Sequence, residues 1–154
     1  MRLKIRNVTN DDLKSFVDIY RLAYRGLEEY AYTSTRDIKH YFRWLMNRDR
    51  DGFFVAEIDG KPVGFVACDT NWVSFYENEE MGEIHEIFVH PEWQGKGIGS
   101  ALLSKALDYA KRRGRRMAGL WVGVGNVRAK KFYERFGFKE AGIWGRWLRM
   151  VREL

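Results

Sequence analysis

Arg2 to Val8 alternates polar and aliphatic side chains, the period of a strand with one face in a core. Thr9-Asn10-Asp11-Asp12 then supplies a capping-box start for a helix to about Tyr24, with Leu13, Phe16, Val17, Tyr20 and Leu22 to Tyr24 as its apolar face. A second helix begins after Ser34 or Thr35, carries Ile38, Tyr41, Phe42 and Leu45 at helical spacing, and ends near Arg50 and Gly52. Phe53 to Ile58 and Val63 to Asp69 are β-rich and meet across Asp59-Gly60, a strong hairpin signal. Residues 70–80 read as a loop and Met81 to Val89 as a central strand. A helix from about Gly97 to Arg113 packs through Ile98, Ala101, Leu102, Ala106 and Leu107, with Leu103 and Ala110. Arg115 to Val124 is the next strand and Val127 to Phe136 the next helix. Phe138 to Met150 gives one or two closing strands, with Gly142 or Gly145 as the break. The order β-α-α-β-β-β-α-β-α-β predicts an α/β domain. Neither a repeat nor a low-complexity linker interrupts it, so residues 1–154 read as one domain.

Composition narrows the class. With 154 residues, 45% of them hydrophobic and 31% charged, the chain has enough apolar side chain for a sizeable core. No run approaches the roughly 20 apolar residues of a membrane span, and Met1-Arg2-Leu3-Lys4-Ile5-Arg6 lacks an apolar signal core, so a cytoplasmic protein without a membrane partner is expected. The single Cys68 allows neither a disulfide framework nor a cysteine metal site, so no metal is expected and Cys68 reads as a small buried hydrophobe. The net charge of +6 is unevenly spread: residues 1–93 hold 12 Lys/Arg and 17 Asp/Glu, net −5, whereas residues 94–154 hold 15 and 4, net +11. A basic half suits an anionic cofactor and an acidic half a cationic acceptor, while Lys111, Arg112, Arg113, Arg115 and Arg116 read as a solvated helix end. The basic half and six Trp would also suit a nucleic-acid binder, but no binding motif accompanies them and no nucleic-acid partner is expected.

The segment Val89-His90-Pro91-Glu92-Trp93-Gln94-Gly95-Lys96-Gly97-Ile98-Gly99-Ser100 joins a strand to a helix through three alternating glycines. Lacking Cβ, Gly95, Gly97 and Gly99 let a ligand approach the main chain, and the next helix aims unpaired N–H groups and the positive end of its dipole at an anion. The spacing fits neither a P-loop nor the dinucleotide fingerprint, which would need glycine at Ser100.

Gln94-x-x-Gly97-x-Gly99 after a strand resembles the pyrophosphate-binding motif of the GCN5-related N-acetyltransferases (GNAT family). Asn126-x-x-Ala129-x-x-Phe132-Tyr133-x-x-x-Gly137-Phe138 resembles that family's second acetyl-CoA element. The resemblance covers residues 81–138 by motif and the rest by element order. It implies a central mixed sheet flanked by helices and splayed between its fourth and fifth strands, with acetyl-CoA as cosubstrate. The main chain of Gly95, Lys96, Gly97, Ile98, Gly99 and Ser100 would hold the pyrophosphate, with Gln94 at the entrance and Lys96 adding charge. The backbone of Ile87, Phe88 and Val89 would hold the pantetheine arm, joined by Asn126, which also reads as the N-cap of the helix at Val127.

Transfer to an amine sets three tasks. The amine must lose a proton, which is harder for a lysine, pKa about 10.4, than for an α-amino group, pKa about 7.7 to 8.0. By resemblance Glu83 is the preferred base. Glu86 is the substrate-side alternative, because its odd spacing from Glu83 sends it to the other sheet face unless a bulge intervenes. His85 shares the face of Glu83 and is read either as a relay or as a packed partner. A backbone N–H near Phe88 would face the oxyanion. Tyr133 matches the general acid that protonates the departing thiolate, and it also satisfies a helix packing pattern. The acceptor side is drawn from Glu28-Glu29-Tyr30-Ala31-Tyr32 and Trp72 to Glu80, carboxylates among aromatics that suit a cationic, amine-bearing acceptor and equally a solvated loop. Trp144, Trp147 and Leu148 on the closing strands are candidates for a homodimer contact. The alternative function is a non-catalytic coenzyme A-binding module.

Overall fold

The computed structural model describes residues 2–154; Met1, the first residue of the alternating start, lies outside them. Strands β1 (Leu3–Asn7), β2 (Phe53–Ile58), β3 (Lys61–Ser74), β4 (Glu79–Val89), β5 (Met117–Gly123), β6 (Lys139–Trp144) and β7 (Trp147–Glu153) form one sheet in the order β1-β2-β3-β4-β5-β7-β6. Every neighbouring pair is antiparallel except β4 and β5. Helices α1 (Leu13–Ala23) and α2 (Thr35–Arg48) cover one face, and α3 (Ile98–Arg112) and α4 (Val127–Arg135) the other.

The helix starts follow their caps. Thr9 opens a capping box with Asp12, donating its backbone N–H to the Asp12 carboxylate at 2.8 Å, and Ser34 Oγ accepts from Asp37 N–H at 3.1 Å. Under α1 and α2 the core is aromatic: Phe16 lies 5.2 Å, ring to ring, from each of Phe42, Phe65 and Phe88. Under α3 and α4 it is mainly aliphatic, with Val66, Ile98, Leu102, Leu103, Ala106, Leu120 and Met150 all buried beside Tyr133 and Phe138. Cys68 belongs to this second core, where burial pushes its thiol well above the ordinary range.

Three boundaries differ from expectation. Residues 70–80 are not a loop: β3 continues to Ser74 and β4 starts at Glu79. The polar start of this stretch is buried because α2 and the turn after it bring partners, with Arg48 Nε donating to Asp69 at 2.7 Å and Asp49 accepting from Thr70 N–H at 2.7 Å. The closing strands are two, separated at Gly145, whose φ is +60°. Gly142 instead follows an irregularity in the β6 register, and the second strand extends past Met150 to Glu153.

One sheet feature positions everything that follows. β4 and β5 pair only at Gly82↔Ala118 and Glu83↔Gly119, after which β4 stays with β3 and β5 with β7. The expected splay between the fourth and fifth strands is present. At its base Arg149, fully buried on β7, makes a two-pronged pair with Glu83 at 2.6 and 2.9 Å. It also donates to Glu77 at 2.8 Å and stacks over the Trp121 ring at 5.2 Å. Removing one member of such a buried group strands the others in a medium that solvates them poorly. Arg149→Met is therefore expected to lower stability by about 3–5 kcal/mol, with part of the loss recovered in the Arg149→Met, Glu83→Gln double variant. Urea unfolding checks this, and an Arg149→Met midpoint equal to that of the parent protein would contradict it.

Candidate active site

Beyond Glu83 the strands diverge around a groove of about 670 Å³, lined by Ile87, Phe88, Val89, Gln94, Gly95, Gly97, Gly99, Ser100, Asn126 and Tyr133 among others. Gly95 and Gly97 have φ of +75° and +83°, and a Cβ built on either meets nothing within 4 Å. These glycines are thus required by backbone conformation rather than by crowding, and the space above them is free for a ligand. At Gly99 a Cβ would lie 3.6 Å from Phe132, an ordinary contact. Gly97 is the N-cap of α3 and the first bond back to it comes from Ala101 N–H at 3.0 Å, so the N–H groups of Ile98, Gly99 and Ser100 precede the helical ladder. Ile98 contributes only its backbone, since its side chain sits in the core, and the exposed Lys96 side chain does not line the groove.

Gln94 bolts the loop in place. Its Nε2 donates to the Val89 carbonyl at 3.0 Å, and its Oε1 accepts from Arg128 Nη1 at 2.8 Å. Asn126 caps α4 through Oδ1, which accepts from Ala129 N–H at 3.3 Å, and it lines the groove as well, so both of its expected roles are compatible. Arg128, at the start of α4, adds a cation that sequence reasoning did not single out.

The carboxylates are sorted by a bulge. In the β3–β4 register Ile84 faces Cys68 and Glu86 faces the adjacent Ala67, so His85 is an extra residue in β4. Glu83, His85 and Glu86 consequently all project toward α1 and α2. Glu83, the base preferred from sequence, is bound at both oxygens by Arg149 and lines neither cavity. Glu86 does line the groove. Its carboxylate accepts from the Tyr24 hydroxyl and, at 2.9 Å, from the Tyr41 hydroxyl. Burial raises its pKa to about 7, against the two phenol bonds, which favour the charged form. Tyr133 is buried on α4 with its phenol pushed above the ordinary range, first by burial and then by the Glu86 charge.

A second cavity, about 590 Å³, opens on the α1–α2 side and is lined by Glu29, Tyr30, Ala31, Tyr32, Tyr41, Phe75 and Trp144. Tyr24, Tyr30, His85, Glu86, Trp121 and Trp147 line both cavities, so the two meet at Glu86. Of the expected acceptor residues, Glu28 instead turns back onto Gly26 N–H at 3.0 Å, Trp72 packs against His85, and Glu77, Glu79 and Glu80 pair with Arg149, Arg116 and Arg115. Leu148 is in the core and Trp147 faces the cavity, which leaves Trp144 as the one exposed member of the expected dimer contact. Among the described residues no helix is long and apolar enough to cross a membrane. The missed residues Tyr24, Tyr41 and Arg149 shared one signal: a polar atom on an otherwise apolar face, which demands a buried partner.

A sequence model described as Acetyltransferase (GNAT) family matches residues 13–138, and the chain belongs to this family. It is 57% identical over 150 residues to an uncharacterised N-acetyltransferase of Methanocaldococcus jannaschii, covering 97% of this chain and 66% of that relative. A crystal structure of a Pyrococcus horikoshii protein matches with a TM-score of 0.91 and 39% identity, covering 99% of each chain. PaiA N-acetyltransferase of Thermoplasma acidophilum, solved in complex with coenzyme A, shares the fold with a TM-score of 0.82 at 22% identity, covering all of both chains.

Gly97→Val places a β-branched residue at a φ of +83° and a side chain in the groove, so coenzyme A affinity is expected to fall at least about tenfold. Calorimetry measures this, and unchanged affinity would contradict the loop assignment. Glu86 makes a separate prediction about stability. Its native pKa of about 7 lies above the unfolded value, so the native state binds more protons between the two and loses stability as pH rises through that window. Glu86→Gln is thus expected to be about 3 kcal/mol more stable than the parent at pH 8 and close to it at pH 4.5, as read by urea unfolding. Parallel stability curves for the two proteins would refute the buried, raised carboxyl.

Proposed function

We propose that the protein is an acetyl-CoA-dependent N-acetyltransferase that moves the acetyl group directly to a primary amine. The observation that carries this reading is a single cleft with a diphosphate cradle at one end and Glu86 with Tyr133 at the other. Positive-φ glycines with open space above them, free amides at the α3 start and an unpaired edge on β4 all fit coenzyme A. The coenzyme A bound to the Thermoplasma PaiA neighbour supports the same choice. Bound in this groove, acetyl-CoA would supply an acyl carbon activated as a thioester.

The chain's own residues do the rest. The amides of Ile98, Gly99 and Ser100 grip the diphosphate with Arg128 beside them, while Gln94 fixes the loop. The free β4 edge at Ile87 to Val89 orients the amide-bearing arm, and the main chain near Phe88 supplies the oxyanion donor. Glu86, rather than Glu83, takes the proton of the amine at its carboxylate, since the Glu83 oxygens are committed to Arg149. Tyr133 holds at its hydroxyl the proton needed by the departing sulfur, and a phenol raised above its usual range stays protonated at neutral pH. Glu29 and the ring faces of Tyr30, Tyr32 and Trp147 favour a cationic acceptor over an anionic one.

Acetyl-CoA and a panel of cationic, neutral and acidic amines, followed by free-thiol release, test the reading. Amine-dependent release is expected, with kcat/KM rising with pH through about 7 as Glu86 ionises. Glu86→Gln should reduce it about 10²- to 10⁴-fold, and Tyr133→Phe should lower kcat without changing coenzyme A affinity. Tight coenzyme A binding with thiol release at the buffer rate for every amine would establish a binding module instead.

A further inference from the structure

Resting on the amine-acetylation reading, we propose that Phe75 and Trp144 form a subsite that selects the acceptor by the part standing away from its nitrogen: a primary amine carried on an apolar chain or ring, without a second charge. Both side chains line the second cavity, which also holds Glu86, yet they remain 70% and 61% exposed, so they belong to its rim. Their centroids are 5.6 Å apart and the rings meet edge to face at 82°. They come from opposite sides of the split. Phe75 sits in the turn between β3 and β4, and Trp144 ends β6 directly across from Trp147 in the β6–β7 register.

These rings are not exposed because their turns are loose. Arg149 holds Glu77 at 2.8 Å, Asn78 N–H donates to the Ser74 carbonyl at 2.7 Å, and the Tyr76 hydroxyl donates to the Ala141 carbonyl at 3.4 Å. Tyr76 also meets Trp121 edge-on at 5.6 Å, and Gly142 lacks the Cβ that would strike its hydroxyl. The β3–β4 turn is thus pinned to β5, β6 and β7 while the Phe75 ring is left facing solvent. On the other side Gly145 and Arg146 make a two-residue turn after Trp144, and Arg146 Nη1 ties it to the Glu29 carbonyl at 2.7 Å. A ring displayed so rigidly loses little freedom when a ligand covers it, so its apolar area is available for binding.

Charge decides what covers them. Among the described residues, nine of the thirteen that line the cavity are aromatic and two, Glu29 and Glu86, are carboxylates. Those two negative charges already face two positive ones, the ammonium of the acceptor and the guanidinium of Arg146 on Glu29. A second ammonium seated between Phe75 and Trp144 would shed its water for ring faces alone. An alkyl chain or an aromatic group has no such hydration to lose and covers both rings.

The test has two arms. In the kinetic arm, hexylamine is expected to exceed propylamine in kcat/KM by at least about tenfold, whereas hexamethylenediamine, of the same length but ending in a second ammonium, is expected at or below propylamine. Phe75→Ser and Trp144→Ser should each cut the hexylamine-to-propylamine ratio to about threefold or less, mainly by raising the hexylamine KM. Both positions are exposed, and retained coenzyme A affinity verifies that the variants are folded. Equal kcat/KM for hexylamine and propylamine, preference for the diamine, or an unchanged ratio in both variants would overturn the proposal. The second arm needs no transfer: calorimetry with coenzyme A bound should find hexylamine about tenfold tighter than the diamine, and Phe75→Ser should remove the difference. Loss of that binding order in the parent protein sinks the subsite whether or not any amine is acetylated. The predicted binding order with thiol release at the buffer rate would support the subsite and remove the enzymatic reading instead. A dimer in sedimentation that Phe75→Ser splits would assign the two rings to a contact between copies of the chain, and the proposal would fall.

Discussion

β4 and β5 pair over two positions, Gly82↔Ala118 and Glu83↔Gly119, and the glycine in each lets a neighbouring element come close. At Gly82 a Cβ would fall 2.5 Å from the Ala110 Cβ, and at Gly119 it would collide with the Arg149 guanidinium. Beyond these two positions the strands separate. The divergence leaves one edge of β4 without a strand partner, and the α3 loop rises at the far end of that edge. A ligand with its own amides and a diphosphate therefore meets a pleated edge and an anion cradle in sequence, both provided by backbone.

Such an opening in the middle of a sheet must be held open and rigid. Arg149 does this at the base, where one guanidinium joins β7 to Glu83 on β4 and to Glu77 in the β3–β4 turn. The same turn carries Phe75 to the acceptor-side cavity. At the other end Tyr30 closes the split from the acceptor side: its hydroxyl accepts from Gly125 N–H at 2.9 Å and its ring lies 5.6 Å from Trp147. The second cavity is thus walled by elements tied to the split itself, through Phe75, Tyr30 and Trp147.

The glycine loop and the Asn126 cap were readable from sequence because they depend on backbone. Glycines at 95 and 97 announce positive φ, and an Asn before a helix announces a cap, without knowledge of what packs nearby. The acid–base half depends on tertiary partners that lie far away in the chain. Nothing in Ile84-His85-Glu86 marks a bulge, since none of the three is Gly or Pro. A regular strand would have set Glu86 on the opposite face from Glu83, and the neutralisation of Glu83 arrives from Arg149, sixty-six residues later. The same blindness applies to residues 70–74, whose polarity resembles a loop until Arg48 and Asp49 at the end of α2 and Arg115 before β5 supply partners.

Two carboxylates three positions apart have been given opposite environments, and the difference is what supports Glu86 as the proposed base. Glu83 has both oxygens bound by the Arg149 guanidinium. Glu86 faces phenols, which stabilise a carboxylate less than a guanidinium does, so desolvation wins and its pKa comes to about 7. A carboxylate with an ordinary pKa near 4.3 is a poor match for the proton of an ammonium, and closing that gap by nearly three pKa steps corresponds to about 3–4 kcal/mol of stability surrendered when Glu86 ionises. The aromatic core under α1 and α2 makes that loss tolerable. Tyr24, which donates to Glu86, lies against Tyr20, which in turn packs on Phe16, so the surroundings of the proposed base are anchored in the buried aromatic cluster.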